Sequence, residues 1–228
     1  MAQDIAYRIA TLGDFDRVLA FVLENMVHRV HGEPISVGVG VDNSNPEVIE
    51  FWSQYIKDCL GREQTYMAED SSQDNKVVGL RLTKFVTPEE YKAERKEVLK
   101  MEPVDKPLWK FVETIRAYGR SFDNYAKMKE FGIQKMAFFA LLCVHVDYRK
   151  RGIAQKMNDL TMELAVRQGC DSVCVMAPGF EFQRLFHKEG FTLYHSVDYT
   201  ELKDAEGEQL CHPPEPTKAL QSFYKKLK

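Results

Sequence analysis

From Met136 to Val146 the chain is almost continuously apolar, with Phe138 and Phe139 adjacent. This is the pattern of a strand covered on both faces. Past a basic turn, Ile153, Met157, Leu160 and Leu164 recur at three- and four-residue spacing, which predicts an amphipathic helix. The rest of the chain reads around this unit. Ile5 to Ile9 is a short first strand, and Thr11-x-x-Asp14 has capping-box form. It opens a helix that carries Phe15, Val18, Leu19, Val22 and Met26 on one face. Asn45-Pro46-Glu47 starts another, with Val48, Phe51, Trp52, Tyr55 and Ile56 buried and Gly61 at its end.

Gln64 to Ala68 and Val77 to Phe85 read as antiparallel strands joined by the polar turn Asp70 to Asn75. Pro88 to Met101 is a charged helical stretch, and the apolar positions from Leu108 to Tyr125 predict one longer helix. After the central helix come a buried strand, Ser172 to Met176, and a helix with Phe182, Leu185 and Phe186. Gly190 closes that helix, and Phe191 to Val197 is again a strand. Pro213-Pro214-x-Pro216 is a stiff connector, and Lys218 to Leu227 reads as a closing edge strand. Strands and helices alternate in the second half, which predicts a mixed α/β sheet in one domain over residues 1–228.

The turn between central strand and helix carries the first candidate chemistry. In Arg149-x-x-Gly152-x-Ala154, the glycine lets a backbone approach a ligand closely. Unpaired amides at a helix N-terminus carry partial positive charge, so the turn can hold a pyrophosphate. Arg149, Lys150 and Arg151 add cations at the same place. The formal net charge is −3. A chain with that balance has no general field for nucleic acid, so any basic site is local. No stretch approaches the length of a membrane span, and Met1-Ala2-Gln3-Asp4 lacks the form of a signal peptide, so a cytoplasmic protein is expected. Of five cysteines, Cys59, Cys143 and Cys174 sit in apolar patterns that suit reduced core thiols. Cys170-x-x-x-Cys174 has no second ligand pair at metal spacing, so no metal is expected.

The run Val144-x-x-x-Tyr148-Arg149-x-x-Gly152-Ile153-Ala154 resembles the acetyl-coenzyme A signature of the GCN5-related N-acetyltransferases (GNAT), in which Q/R-x-x-G-x-G/A follows the fourth strand. It is similar in particular to the arylalkylamine branch found in invertebrates. Lys188-Glu189-Gly190-Phe191 supports the same likeness. The resemblance implies a single-domain, mostly antiparallel seven-stranded sheet, splayed beside the central strand and flanked by helices. Acetyl-CoA would be the cosubstrate. Its pantetheine would lie in the splay beside Val144, His145 and Val146, and its pyrophosphate on the amides from Arg149 through Lys150, Arg151, Gly152 and Ile153 to Ala154. The acceptor would be a small primary amine, and the protein a monomer or weak dimer without membrane or nucleic-acid partners.

Gly32-Glu33-Pro34-Ile35 looks like the D/G-E-P-L segment of that branch, whose glutamate acts as general base. The chemistry requires one. An alkylammonium has a pKa of about 10 and must lose a proton before it attacks a thioester, and a carboxylate in a dry pocket can be raised toward neutrality. A solvated loop glutamate before a turn proline is the plain alternative. His28 and His31 flank this loop as candidate proton relays or as ordinary surface histidines, and His145 either lines the cleft or is a satisfied core residue. Phe180, Phe182 and Phe186 offer an apolar wall for an aromatic amine. Two features depart from the family pattern. Its paired serines fall on Pro178 and Phe182, and its tyrosine acid falls on Phe186. These departures keep open a CoA-binding sensor or scaffold without turnover. Polyamine and protein acceptors stay open as well.

Overall fold

The computed structural model describes residues 4–28, 32–98 and 100–227. The strands are β1 (Ile5–Ala10), β2 (Thr65–Asp70), β3 (Lys76–Val86), β4 (Met136–Val144), β5 (Ser172–Ala177), β6 (Thr192–Asp198) and β7 (Ala219–Lys226). They form a seven-stranded sheet in the order β1-β2-β3-β4-β5-β7-β6. Every neighbouring pair is antiparallel except β4 and β5. The helices are α1 (Phe15–Asn25), α2 (Pro34–Val39), α3 (Pro46–Leu60), α4 (Pro88–Val98), α5 (Lys106–Arg120), α6 (Asn124–Glu130), α7 (Ile153–Arg167) and α8 (Phe180–Lys188).

Local signals account for most element ends. The Thr11 amide donates to Asp14 Oδ2 at 3.0 Å, the return half of the capping box, and a short 3-10 turn leads into α1. Asn45 Oδ1 accepts from the Glu47 amide at 2.8 Å, and Pro46 takes the first helical position of α3. One core joins Val18 and Val22 of α1, Trp52 and Ile56 of α3, and Leu108 and Phe111 of α5 to Leu80, Leu82 and Leu141 on one face of the sheet. Helices α7 and α8 cover the other face, where Met157, Leu164 and Phe186 meet Val78, Leu142 and Phe139.

Two expectations are corrected. The apolar pattern from Leu108 to Tyr125 is two helices, because Asp123 accepts from the Ala126 amide at 3.0 Å and starts α6 afresh. The last strand is not at the edge: β7 inserts between β5 and β6, and β6 takes the edge. Leu220 and Phe223 are accordingly fully buried.

The feature that positions the site is a fault in β4. Leu82 pairs with Leu141 and Thr83 with Phe139, so Ala140 is the extra residue of a bulge. Pairing between β4 and β5 covers only Met136–Phe139 against Ser172–Val175. A bulge bends and twists its strand, and from Ala140 onward β4 no longer pairs with β5. The sheet opens there into a cleft. Among the described residues, no helix is long and apolar enough to cross a membrane.

Candidate active site

A cavity of about 110 Å³ lies at this opening. It spans both faces of the sheet. Trp52, Phe111 and Ile115 come from α3 and α5, Arg81 and Leu142 from β3 and β4, and Phe182 and Phe186 from α8. Glu33 also lines it. The plain loop reading of Glu33 does not describe its setting: the residue is half-buried and caps α2. Its carboxylate accepts from the Ile35 amide at 2.9 Å and from the Ser36 amide, which satisfies the exposed donors of that helix end. Burial pushes the Glu33 carboxyl above its ordinary value, against hydrogen bonds at Ser36 and Ile35 that pull it down.

Local sequence explains how Glu33 reaches the wall. The Glu33 amide donates to Met26 O at 2.7 Å and the Gly32 amide to His28 O at 2.8 Å, which folds the chain tightly back on the end of α1. A Cβ on Gly32 would stand 2.2 Å from Met26 O and 2.4 Å from His28 O, so only glycine fits this close approach. Pro34 then packs under Gly179 at the start of α8. His28 stands at this fold-back but is not among the cavity-lining residues. His31 lies outside the described residues.

The cofactor candidates fall on the turn after β4. The His145 amide donates to Val78 O at 2.9 Å. Backbone groups alternate in direction along a strand, so the amide of Val144, the last residue of β4, faces the open side toward β5, and Val146 opens the 3-10 turn that follows. Val144 O on that side accepts from Arg149 Nε at 3.2 Å, and Val146 O from the Arg149 amide at 3.3 Å. Gly152 sits at φ 79° just before α7, and no side chain caps that helix end. Open space surrounds the position where a Cβ would stand. The Ile153 side chain is buried in the core, so only its amide is on offer, and the same turn carries Lys150 at φ 63° and Ala154. Arg151 stacks 4.9 Å from the Tyr148 ring and donates to Asp147 O. The buried Tyr148 hydroxyl donates to Asp70 Oδ2 at 2.7 Å, which ties this turn to the end of β2. These features, uncapped amides and a left-handed glycine beside cations, fit a pyrophosphate.

His145 does not line the cavity. Its Nδ1 accepts from the Asp147 amide at 3.3 Å and Nε2 lies 3.4 Å from Lys76 Nζ, the setting of a satisfied capping histidine. Burial and the neighbouring Lys76 cation lower its pKa, which favours the neutral ring. Of the expected aromatic wall, Phe182 and Phe186 are present, and Phe180 lies off the cavity near Arg184. Burial pushes the thiols of Cys59, Cys143, Cys174 and Cys211 up to about 12, so none is a ready nucleophile. Among the described residues, no group of His, Cys, Asp or Glu could hold a metal ion. The sequence reading missed Arg81, Trp52, Phe111 and Ile115 as cavity residues. A lone arginine inside the apolar run Val77 to Phe85 was the available signal for Arg81.

Phe186 is 2% exposed, with its ring 5.0 Å from Phe191 and 5.9 Å from Phe223. Phe186→Ala should therefore lower stability by about 3–5 kcal/mol, read as a fall in melting temperature. Phe186→Tyr is nearly isosteric and should change turnover by less than about tenfold, because a thiol of pKa about 8.5 leaves as its anion near neutral pH without a dedicated acid. A hundredfold acceleration by the tyrosine would show instead that proton donation limits the native protein.

The chain has the GNAT fold. The arylalkylamine N-acetyltransferase 2 of Aedes aegypti superposes with a TM-score of 0.83 at 19% identity, over 99% of this chain and 100% of that one. An agmatine N-acetyltransferase, solved as a point mutant in its apo form, gives 0.80 at 18% identity over 98% and 99%. The polyamine N-acetyltransferase of Drosophila melanogaster, which forms N-acetylagmatine, gives 0.78 at 18% identity over 98% and 100%. No family model and no curated sequence matches the chain. What is shared across these proteins is therefore carried by the fold and not by close sequence.

Proposed function

We propose that the protein transfers acetyl from acetyl-CoA directly to a small primary monoamine of arylalkylamine type, with Glu33 as general base. The observation that carries this reading is the cavity at the β4–β5 opening, where a carboxylate raised by burial faces aromatic walls in a chain of this fold. Glu33 takes the proton from the ammonium. The freed nitrogen attacks the thioester carbonyl carbon, the C–N bond forms, the C–S bond breaks, and the CoA sulfur leaves as thiolate and takes up a proton. Direct attack suits a cavity whose neighbouring buried thiols are held protonated. The Val144 and Val146 amides would pair with pantetheine. The amides from Arg149 to Ala154, with Lys150 and the arginines, would hold the pyrophosphate.

The lining also bears on the acceptor. Among its described residues only Glu33 and Arg81 are ionisable. A polyamine or agmatine would bring a second cation for which no lining carboxylate remains, beside a guanidinium of the same sign. An arylalkylamine instead matches Trp52, Phe111, Phe182 and Phe186.

A panel of amines with acetyl-CoA, read as free thiol, tests the assignment. Phenethylamine-type monoamines should release thiol far faster than agmatine or spermidine. Preference for the polyamines would overturn the acceptor class. Acetyl-CoA binding without thiol release from any amine would leave a sensor or scaffold.

A further inference from the structure

We infer that Arg81 is a carboxylate-binding, specificity-determining residue of this cavity, so that within the acyl-CoA and amine classes proposed above a member carrying an acidic group binds better than the plain acetyl donor or monoamine. The inference rests on the cavity being the acyl-transfer site. On β3, Leu80 and Leu82 face the core beneath α3 and α5, so Arg81 between them faces α7. The residue is 1% exposed and lines the cavity. Its Nε donates to Asn158 Oδ1 at 3.1 Å, and Nη2 donates to the same oxygen. Asn158 in turn donates to both carboxylate oxygens of Glu189, at 2.9 and 3.1 Å. Phe139 lies against the guanidinium, 4.2 Å from Cζ to the ring centroid. The guanidinium thus meets a neutral amide, and the carboxylate stands one residue further out.

Nη1 has no hydrogen-bond partner among the described residues. Nε and Nη2 tie β3 to α7 and, through Asn158 and Glu189, to the end of α8, which leaves Nη1 as the donor for the cavity that Arg81 lines. A buried cation with unused donors is costly until an oxygen anion meets it, and the guanidinium fork matches a carboxylate. The carboxylate can come from the acyl half of the thioester, as in a dicarboxylic acyl-CoA, or from the acceptor, as in an amino acid. The acyl half is the source the geometry favours, because Arg81 approaches from the α7 face while Glu33 belongs to the segment packed with α1 and α5.

Calorimetry on the whole chain separates the sources. One arm compares succinyl-CoA with acetyl-CoA. The other compares tyrosine with tyramine on the CoA-saturated protein. Wild type should favour the carboxylated member of one pair by about tenfold to a hundredfold, the range of a charge-assisted hydrogen bond. Arg81→Met should erase that preference and Arg81→Lys should keep part of it. Each ratio is taken within one preparation, so partial unfolding of a variant does not imitate the effect. Ratios within twofold in both arms, ratios unchanged in Arg81→Met, or no binding of any probe would overturn the inference. Preference for succinyl-CoA without acyl transfer to any amine would instead strike the proposed function and leave the Arg81 site standing.

Discussion

Glu33→Gln should cut turnover near pH 7 by about 100- to 10,000-fold while leaving acetyl-CoA affinity nearly unchanged, the usual cost of removing a general base. The amide is nearly the same size, and its carbonyl oxygen can still accept from one of the two α2 amides that Glu33 now caps. The fold and the cavity wall should therefore survive, which separates the chemical role from the capping role. The pH profile gives a second readout. Burial raises the Glu33 carboxyl, so wild-type kcat/KM should fall on acidification through a value above the ordinary carboxylate range, as the base becomes protonated. The glutamine variant should lose that acid limb. Loss of less than a few-fold between about pH 6 and 9 would return Glu33 to the role of helix cap alone.

Gly152→Asp should abolish CoA binding with the fold intact. The backbone there has φ 79°, a conformation that aspartate tolerates better than most residues, and an added Cβ meets nothing within 4 Å. The aspartate carboxylate would stand beside the α7 amides that a pyrophosphate needs and set a negative charge against it. Calorimetry should show acetyl-CoA affinity reduced by at least about a hundredfold, the equivalent of about 2.7 kcal/mol, in a protein that still folds at a modestly lower melting temperature, because a side chain at φ 79° is strained. Unaltered affinity would remove the α7 turn as the cofactor site.

Most elements were legible along the chain because each was signalled within a few residues. The Asn45-Pro46 start of α3, the apolar spacing of α7 and the glycine before it act locally, and the structure keeps them. The break between α5 and α6 was missed because the apolar spacing runs across Ser121 and Asp123 while the cap works against it. The basic turn was readable for the same local reason. The Glu33 segment was visible only through its resemblance, since one glutamate before a proline has no periodicity to place it.

The sequence by itself determined most of the strands and helices, though not α2 or the division of α5 from α6, where most of them start, and that a basic, glycine-bearing turn follows the most apolar strand. Those properties depend on side chains a few positions apart, whose spacing sets which face is buried. Strand order and register were decided by the tertiary structure. The placement of β7 between β5 and β6 and the bulge at Ala140 are pairings between distant segments of similar apolar pattern, which local periodicity cannot rank. The site follows from those choices. The bulge ends the β4–β5 ladder, and the opening brings Glu33 from beyond α1 and Arg81 from β3 to one cavity. Only that convergence buries Arg81 and sets Glu33 into the cavity wall, and burial is the physical cause of the raised carboxyl at Glu33.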